Sequence, residues 1–259
     1  MTKRQQNRIR IWFEQYINSF RDDKNVLLPA LELKYQHSLR VAQNARQIGF
    51  GINLAEAEVL LAEICGLVHD IGRFQQYERY GSFRDEDTMD HGLAGRRTLE
   101  SEGAQTLFGE SDWERVSCAV EFHNRRTEDL PAKLPGGSRR LLNIIRDADK
   151  LDIMEIVLQS FARDGFRDLY DMLPHIRTGR ELTPSVLEEL QKTKSISMGG
   201  LRTVTDFLVM LASWLSDFNF SLSRQIAVSR NLIDRLQKEL PDVQSIRELL
   251  VDIKRCDSA

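Results

Sequence analysis

Gly66-Leu67-Val68-His69-Asp70-Ile71-Gly72-Arg73 ends an apolar helical run with two adjacent metal-capable side chains, and a glycine follows two residues later. Upstream, Leu60, Leu61, Ile64, Cys65 and Val68 have helical spacing, and Leu61, Cys65 and His69 share one face at i, i+4, i+8. An aspartate ending a buried helix carries a charge that burial penalises. At a helix C-terminus it also opposes the macrodipole. A bound cation is the most economical compensation, so the sequence has to be searched for further ligands.

The pattern on both sides is helical. With 15 glycines and 6 prolines in 259 residues and almost no period-2 alternation, the chain reads as all-α. A first helix covers about Lys3 to Phe20, with Ile9, Trp12, Phe13, Tyr16, Ile17 and Phe20 at helical spacing. A second runs from Pro29 to about Phe50 and buries Leu33, His37, Val41, Ala45 and Ile48, so His37 points inward. Asn53 and Glu56 read as a capping box for the helix that ends at the His-Asp pair. Beyond Gly72 the aromatic and charged segment Phe74 to Asp87 reads as a loop, long enough to be a functional lid.

A short helix then begins near Asp87 or Thr88 and aligns His91, Gly95 and Leu99. Ser111 and Glu114 form a second capping-box pattern, and the helix they open carries Val116, Ala119, Val120 and His123 on one face. Asn124 to Arg140 is a polar loop, and a helix over about Leu141 to Ser160 contains Asp147, Asp149 and Asp152. After Asp164-Gly165 come amphipathic helices at about Pro184 to Lys192, Leu201 to Phe218, Leu222 to Leu240 and Asp242 to Lys254. They hold one histidine, His175, in a proline-containing turn that reads as surface, and they are expected to be a packing extension that can serve oligomerisation. The domain division is therefore an N-terminal helix over 1–28, a core over 29–162 and a helical extension over 163–259.

Composition excludes several classes. Hydrophobic and charged fractions of 41% and 29% describe an ordinary globular chain, and a net charge of -3 offers no footprint for general nucleic-acid binding. Cys65, Cys118 and Cys256 form no CxxC pair, which removes a zinc-ribbon reading. Met1 to Arg10 is polar and basic without an apolar core, so no signal peptide is expected. The longest apolar run, Phe207 to Leu215, is too short to cross a bilayer, which leaves a cytoplasmic location as the expectation.

Four of the five histidines, His37, His69, His91 and His123, lie on apolar helical faces or end them. A single such histidine is usually a hydrogen-bonded core residue. Four of them with inward carboxylates form a mixed nitrogen and oxygen set suited to Mn, Fe, Ni, Co or Zn. Periodicity leaves the late carboxylate open. Asp149 lies near the sector of Leu142, Ile145, Ile153 and Ile156, Asp147 points nearly opposite, and Asp152 is more central still.

Three phrases in order, Tyr35-Gln36-His37-Ser38-Leu39-Arg40-Val41-Ala42, Leu67-Val68-His69-Asp70-Ile71-Gly72-Arg73 and Asp147-Ala148-Asp149-Lys150-Leu151-Asp152, resemble the HD-domain superfamily of metal-dependent phosphohydrolases over about residues 30 to 160. With His91 and His123 in between, the ligand order is similar to the binuclear branches, which include HD-GYP cyclic-dinucleotide phosphodiesterases and dinucleoside-tetraphosphate hydrolases. His123 is followed by Asn124-Arg125-Arg126 with no Gly-Tyr-Pro, which argues against cyclic-di-GMP as substrate.

The resemblance implies an HD-type helical bundle in which His37, His69 and Asp149 hold one metal and His91 and His123 the other. Asp70 bridges the two, and Mg is an additional candidate ion beside the transition metals. It selects Asp149 as ligand, leaves Asp152 as a supporting or substrate-contacting group, and gives Asp147 a histidine-orienting role. Asp70, His91 and His123 are then catalytic. The expected chemistry is attack of a metal-activated hydroxide on a phosphorus atom of a nucleotide or similar phosphate ester, with Lys150, Arg73, Arg125 and Arg126 as phosphate contacts. Competing expectations are a degenerate HD domain with a structural metal acting as a regulatory module, and a plain helical interaction module. The second leaves the buried histidines unexplained.

Overall fold

The structure, a computed structural model, describes residues 1–165, 176, 177 and 179–256, with residues 164 and 252–256 described by their backbone alone. His175 lies outside the described residues. Among those described the chain is helical, with an isolated bridge between Arg177 and Thr203 and no sheet. It divides into two compact units, Met1–Asp152 and Ile153–Ala259.

The first unit contains α1 (Lys3–Asn18), α2 (Pro29–Gly51), α3 (Glu56–Val68), α4 (Gly72–Tyr80), α5 (His91–Ser101), α6 (Glu110–Phe122) and the first half of α7 (Ser138–Asp164). Thr2 caps α1 in a reciprocal box with Gln5, and Pro29 opens α2 where its missing N–H costs nothing. α3 is the central element: Leu61, Ile64, Cys65 and Val68 are fully buried, each large side chain contributing roughly 1.5–3 kcal/mol. Gly66 lets α3 cross α2 closely, since a Cβ there would lie 3.0 Å from the Val41 carbonyl oxygen. That crossing brings His69, three residues on, towards His37, four residues before Val41. Glu63 on α3 accepts from Arg10 of α1 and from Arg46 of α2 at 3.0 Å, joining the three helices.

Two further bonds align α7 with this core. Asn44 Nδ2 donates to the Ala148 carbonyl at 3.0 Å, and Arg146 Nε donates to the His123 carbonyl at 3.3 Å. The second unit centres on α9 (Val204–Ser216), whose residues Val204 to Ser213 are all buried. α11 (Leu232–Glu239) and α12 (Gln244–Cys256) pack against α9, α8 (Pro184–Thr193) packs on α12, and α10 (Ser221–Ser229) packs on α11.

Several local expectations are corrected. Phe74 to Tyr80, read as the start of a loop, belong to α4; the irregular segment is only 81–90 and contains a tight turn at Asp85–Asp87. The aromatic side chains that hid the helical period are split between a buried Phe74 and partly exposed Tyr77 and Tyr80. α5 starts at His91 with Asp90 as its cap, accepting from the N–H groups of Gly92 and Leu93, rather than at Asp87. Asn53 does not cap α3. It adopts a left-handed conformation, φ 58°, that closes the turn after α2, and asparagine tolerates this geometry. Ser111 lies inside α6, whose cap is Gly109. The single helix expected from Leu222 to Leu240 is broken by Asn231 at φ 56° into α10 and α11.

Candidate metal centre

The four inward histidines converge on the two oxygens of Asp70. Oδ2 lies 3.6 Å from His37 Nε2 and 3.7 Å from His69 Nε2, while Oδ1 lies 3.4 Å from His91 Nε2 and 3.5 Å from His123 Nε2. Asp149 Oδ1 closes the first pair, 3.1 Å from His37 Nε2 and 3.7 Å from His69 Nε2. Asp70 and all four histidines are buried, and Asp149 is 22% exposed.

The opposite ring nitrogens decide the tautomers. His69 Nδ1 donates to the Gly66 carbonyl at 2.8 Å and His123 Nδ1 to the Val120 carbonyl at 2.8 Å, each reaching back three residues at the end of its helix. His37 Nδ1 donates to Asp152 Oδ2 at 2.7 Å and His91 Nδ1 to Asp85 Oδ2 at 2.5 Å. With every Nδ1 donating, the neutral form of each ring presents its Nε2 lone pair towards Asp70, as metal-ligating histidines do. His91 Nε2 and His123 Nε2 stand 3.0 Å apart, two lone pairs face to face, which requires a proton or a cation between them. A proton is resisted at His91, whose pKa is lowered to about 4 by burial and by the nearby Arg73.

The first pair tests the fit differently. His37 Nε2, His69 Nε2 and Asp149 Oδ1 are buried polar atoms without a hydrogen-bond partner. Three orphaned donor-set atoms aimed at one point are what a divalent cation satisfies. The groups at the centre that could hold a metal ion are His37–His69–Asp70, with Asp149 alongside, and Asp70–His91–His123.

Charge in the centre follows from its surroundings. Burial works against ionisation of Asp70, but Lys34, His69, His123 and Arg73 hold its carboxyl well below the ordinary range. Asp149 is likewise held low, against burial, by His37 and His69. Asp70 also sits immediately before the N-terminus of α4, and its carbonyl accepts from Arg73 N at 2.9 Å. The macrodipole mismatch expected at the end of α3 is thereby partly offset.

The remaining expected residues are placed as follows. Asp152 is 2% exposed; His37 and Arg40 occupy both its oxygens, at 2.7 and 2.6 Å. Asp147 is fully buried, and the histidine-orienting carboxylates are Asp152 and Asp85. Arg73 Nη1 donates to Asp85 and Gln76, both at 2.7 Å, and to the Phe83 carbonyl, with its Nε 3.6 Å from Asp70. Lys150 is half-buried beside Asp149; Arg125 pairs with Asp90, and Arg126 lies 3.7 Å from Glu128.

Four residues were missed by sequence reasoning. Lys34 Nζ donates to Asp70 Oδ2 at 2.7 Å; its signal was its position one turn before His37. Asp85 lies in the segment read as a lid and carries no periodicity to expose it. Gln76, fully buried, donates to Asp85 at 3.0 Å and to Thr88 at 2.7 Å, and Asn124 donates to Asp85 at 3.2 Å. Asp85, Asp90 and His91 also approach one another as a potential ligand group, but Asp85 Oδ2 is committed to His91 Nδ1 and the other oxygens to Arg73, Gln76, Asn124 and Arg125.

Residues 35–154 match the family model for the HD domain. No curated protein and no solved structure matches the chain. No helix among the described residues is long and apolar enough to cross a membrane.

Proposed function

With residues 35–154 an HD domain, a family of generally metal-dependent phosphohydrolases, we propose that this protein hydrolyses a nucleotide or similar small phosphate ester using two divalent cations. The observation that carries the reading is the convergence of four histidine Nε2 atoms on the two oxygens of Asp70. Cations bound there supply Lewis-acid stabilisation of phosphoryl charge and activation of water. His37, His69, Asp149 and Asp70 Oδ2 would hold one, and His91, His123 and Asp70 Oδ1 the other.

The chain's own residues prepare that chemistry. Asp152 and Asp85 fix the tautomers of His37 and His91 and raise their basicity. Arg40 and Arg73 hold those carboxylates in turn. The fixed Asp70 carboxylate spaces the two halves so that a phosphoryl group can meet both without reorganisation. Lys150, Arg125 and Arg126 would contact the phosphate or its leaving group, whereas Arg73 Nη1 is engaged in holding Asp85.

Metal analysis and a screen of nucleotides, dinucleoside polyphosphates and cyclic dinucleotides with added Mn test the proposal together. Two metal equivalents and turnover of a phosphate ester are expected, with Asp70→Ala folded and inactive. Purified protein that binds no transition metal, or an Asp70→Ala variant with unchanged turnover, would refute it; bound metal without any turnover would favour a regulatory HD domain.

A further inference from the structure

Lys34 is not explained by metal binding. It lies one turn before His37 on α2 with its side chain only 15% exposed, and its Nζ sits 2.7 Å from Asp70 Oδ2 and 5.5 Å from the centroid of the Phe83 ring. An ammonium group carries three N–H donors. Among the described residues Asp70 is the acceptor Lys34 uses.

The two arginines at the edge of the centre are differently placed. Arg40 is spent on both oxygens of Asp152, at 2.6 and 3.2 Å, and the Nη1 of Arg73 on Asp85, Gln76 and the Phe83 carbonyl, while Arg73 Nε stands 3.6 Å from Asp70 Oδ1 without a hydrogen bond. Neither set of acceptors is claimed by the candidate metal sites. Asp70 Oδ2 is, because it faces His37 Nε2 and His69 Nε2. A cation held by those atoms takes the oxygen on which Lys34 depends and repels its ammonium group. A mostly buried ammonium without an anionic partner is costly. Cation–π attraction to Phe83, itself 6.0 Å from the Arg73 guanidinium, keeps the displaced group at the rim of the centre.

We infer that Lys34 is a substrate-phosphate ligand: once Asp70 is engaged by cations, its ammonium group donates to a non-bridging oxygen of the phosphoryl group, which replaces Asp70 as its partner. The inference rests on the phosphohydrolase reading above. As a compact point charge with rotatable donors, a lysine can follow the oxygen as its charge grows.

Lys34→Met keeps the aliphatic stem and removes the charge; Lys34→Arg restores a cation. For each, bound metal is measured by elemental analysis, binding of inorganic phosphate to the metal-loaded protein by calorimetry, and kcat and KM on the ester that the wild type hydrolyses. Lys34→Met should keep its fold and full metal content, bind phosphate about tenfold more weakly and lose about a hundredfold in kcat/KM, and Lys34→Arg should recover part of both losses. Wild-type phosphate affinity in fully loaded Lys34→Met would overturn the inference, as would loss of metal from both variants, which would make Lys34 a support of the metal site. Phosphate binding that depends on Lys34 in a wild type that hydrolyses no ester would refute the phosphohydrolase reading while sustaining the anion site.

Discussion

Gly72 is where α4 leaves the His-Asp pair and crosses α5. A Cβ there would stand 2.4 Å from the His91 carbonyl oxygen, 2.5 Å from Gly95 N and 3.0 Å from Gly95 Cα, where ordinary contact begins at 3.4 Å. All three atoms are backbone, so no rotamer change can relieve the overlap, and Gly72→Ala must part the helices by about an ångström. Overpacking of this kind costs about 1–3 kcal/mol, against a gain of up to ~1 kcal/mol from replacing glycine in a helix. The net expectation is a loss of about 1–2 kcal/mol, or a fall in Tm of roughly 2–8 °C. The first atom displaced belongs to His91, so the His91–His123 half should suffer most, and a shift of an ångström there should cost about a hundredfold in turnover. Circular dichroism melting and metal analysis read the two effects together: a lower Tm with one metal equivalent lost and one retained. Gly136→Ala, with no heavy atom within 4 Å of the new Cβ, is the control and should match the wild type. A Gly72→Ala protein that melts with the wild type and binds both equivalents would show that the α4–α5 contact neither limits packing nor places His91.

Glu63→Gln removes a carboxylate that is 7% exposed between Arg10 and Arg46; because both arginines can swing into water, the cost should be about 1–3 kcal/mol by urea denaturation, and an unchanged midpoint would refute a stabilising role. Asp85→Asn should weaken one of two metal-binding steps in a calorimetric titration by about 10–100-fold, leaving the other intact, since it releases His91 Nδ1 but not His37; equal weakening of both steps would contradict the division of the centre. Burial and Lys34 lower the pKa of His37, but the Asp149 and Asp152 carboxylates outweigh them and raise it from its ordinary value. Metal must displace that proton, so affinity should be full above the raised pKa and fall as pH drops through it; pH-independent metal retention would refute the competition. Cys65 is fully buried and its thiol is pushed up by burial, so it should resist alkylation, followed by mass spectrometry, until the protein unfolds; rapid native labelling would refute its core placement.

The fold class was legible because helical periodicity survives wherever one face is buried and the other wet. His37, Val41, Ala45 and Ile48 announce the inward face of α2, and Leu61, Cys65 and His69 that of α3, and all are buried as expected. α4 was illegible because its nine residues carry only one fully buried large apolar side chain, Phe74, among charges and amides. The helix caps misled for a related reason. Asn53, read as a cap, and Asn231, read as helix interior, both satisfy turn geometry at positive φ, a preference that spacing rules do not register. Within the site, residues on helices could be found and residues reaching in from irregular backbone could not. Asp85 has no period that ties it to His91, and Gln76 looks like any amide until its fully buried Nε2 is seen holding Asp85.

The arrangement around Asp70 has a repeated logic that the ligand names alone conceal. Each half contains one histidine anchored by the carbonyl three residues back in its own helix, His69 on Gly66 and His123 on Val120. Each also contains one histidine anchored by a distant carboxylate that an arginine holds, His37 by Asp152 with Arg40, and His91 by Asp85 with Arg73. The halves differ in charge. Asp149 stands beside His37 and His69, whereas the His91–His123 half has no carboxylate of its own facing the Nε2 atoms besides Asp70 among the described residues. The His37 half offers a divalent cation one more ligand, and an anionic one, and the partner of His91 rests on the short segment between α4 and α5 rather than on a helix. In the two-metal reading the His37 half therefore fills first and tightly, while the His91 half is the weaker site, the one most dependent on Gln76 and Arg73 for its shape.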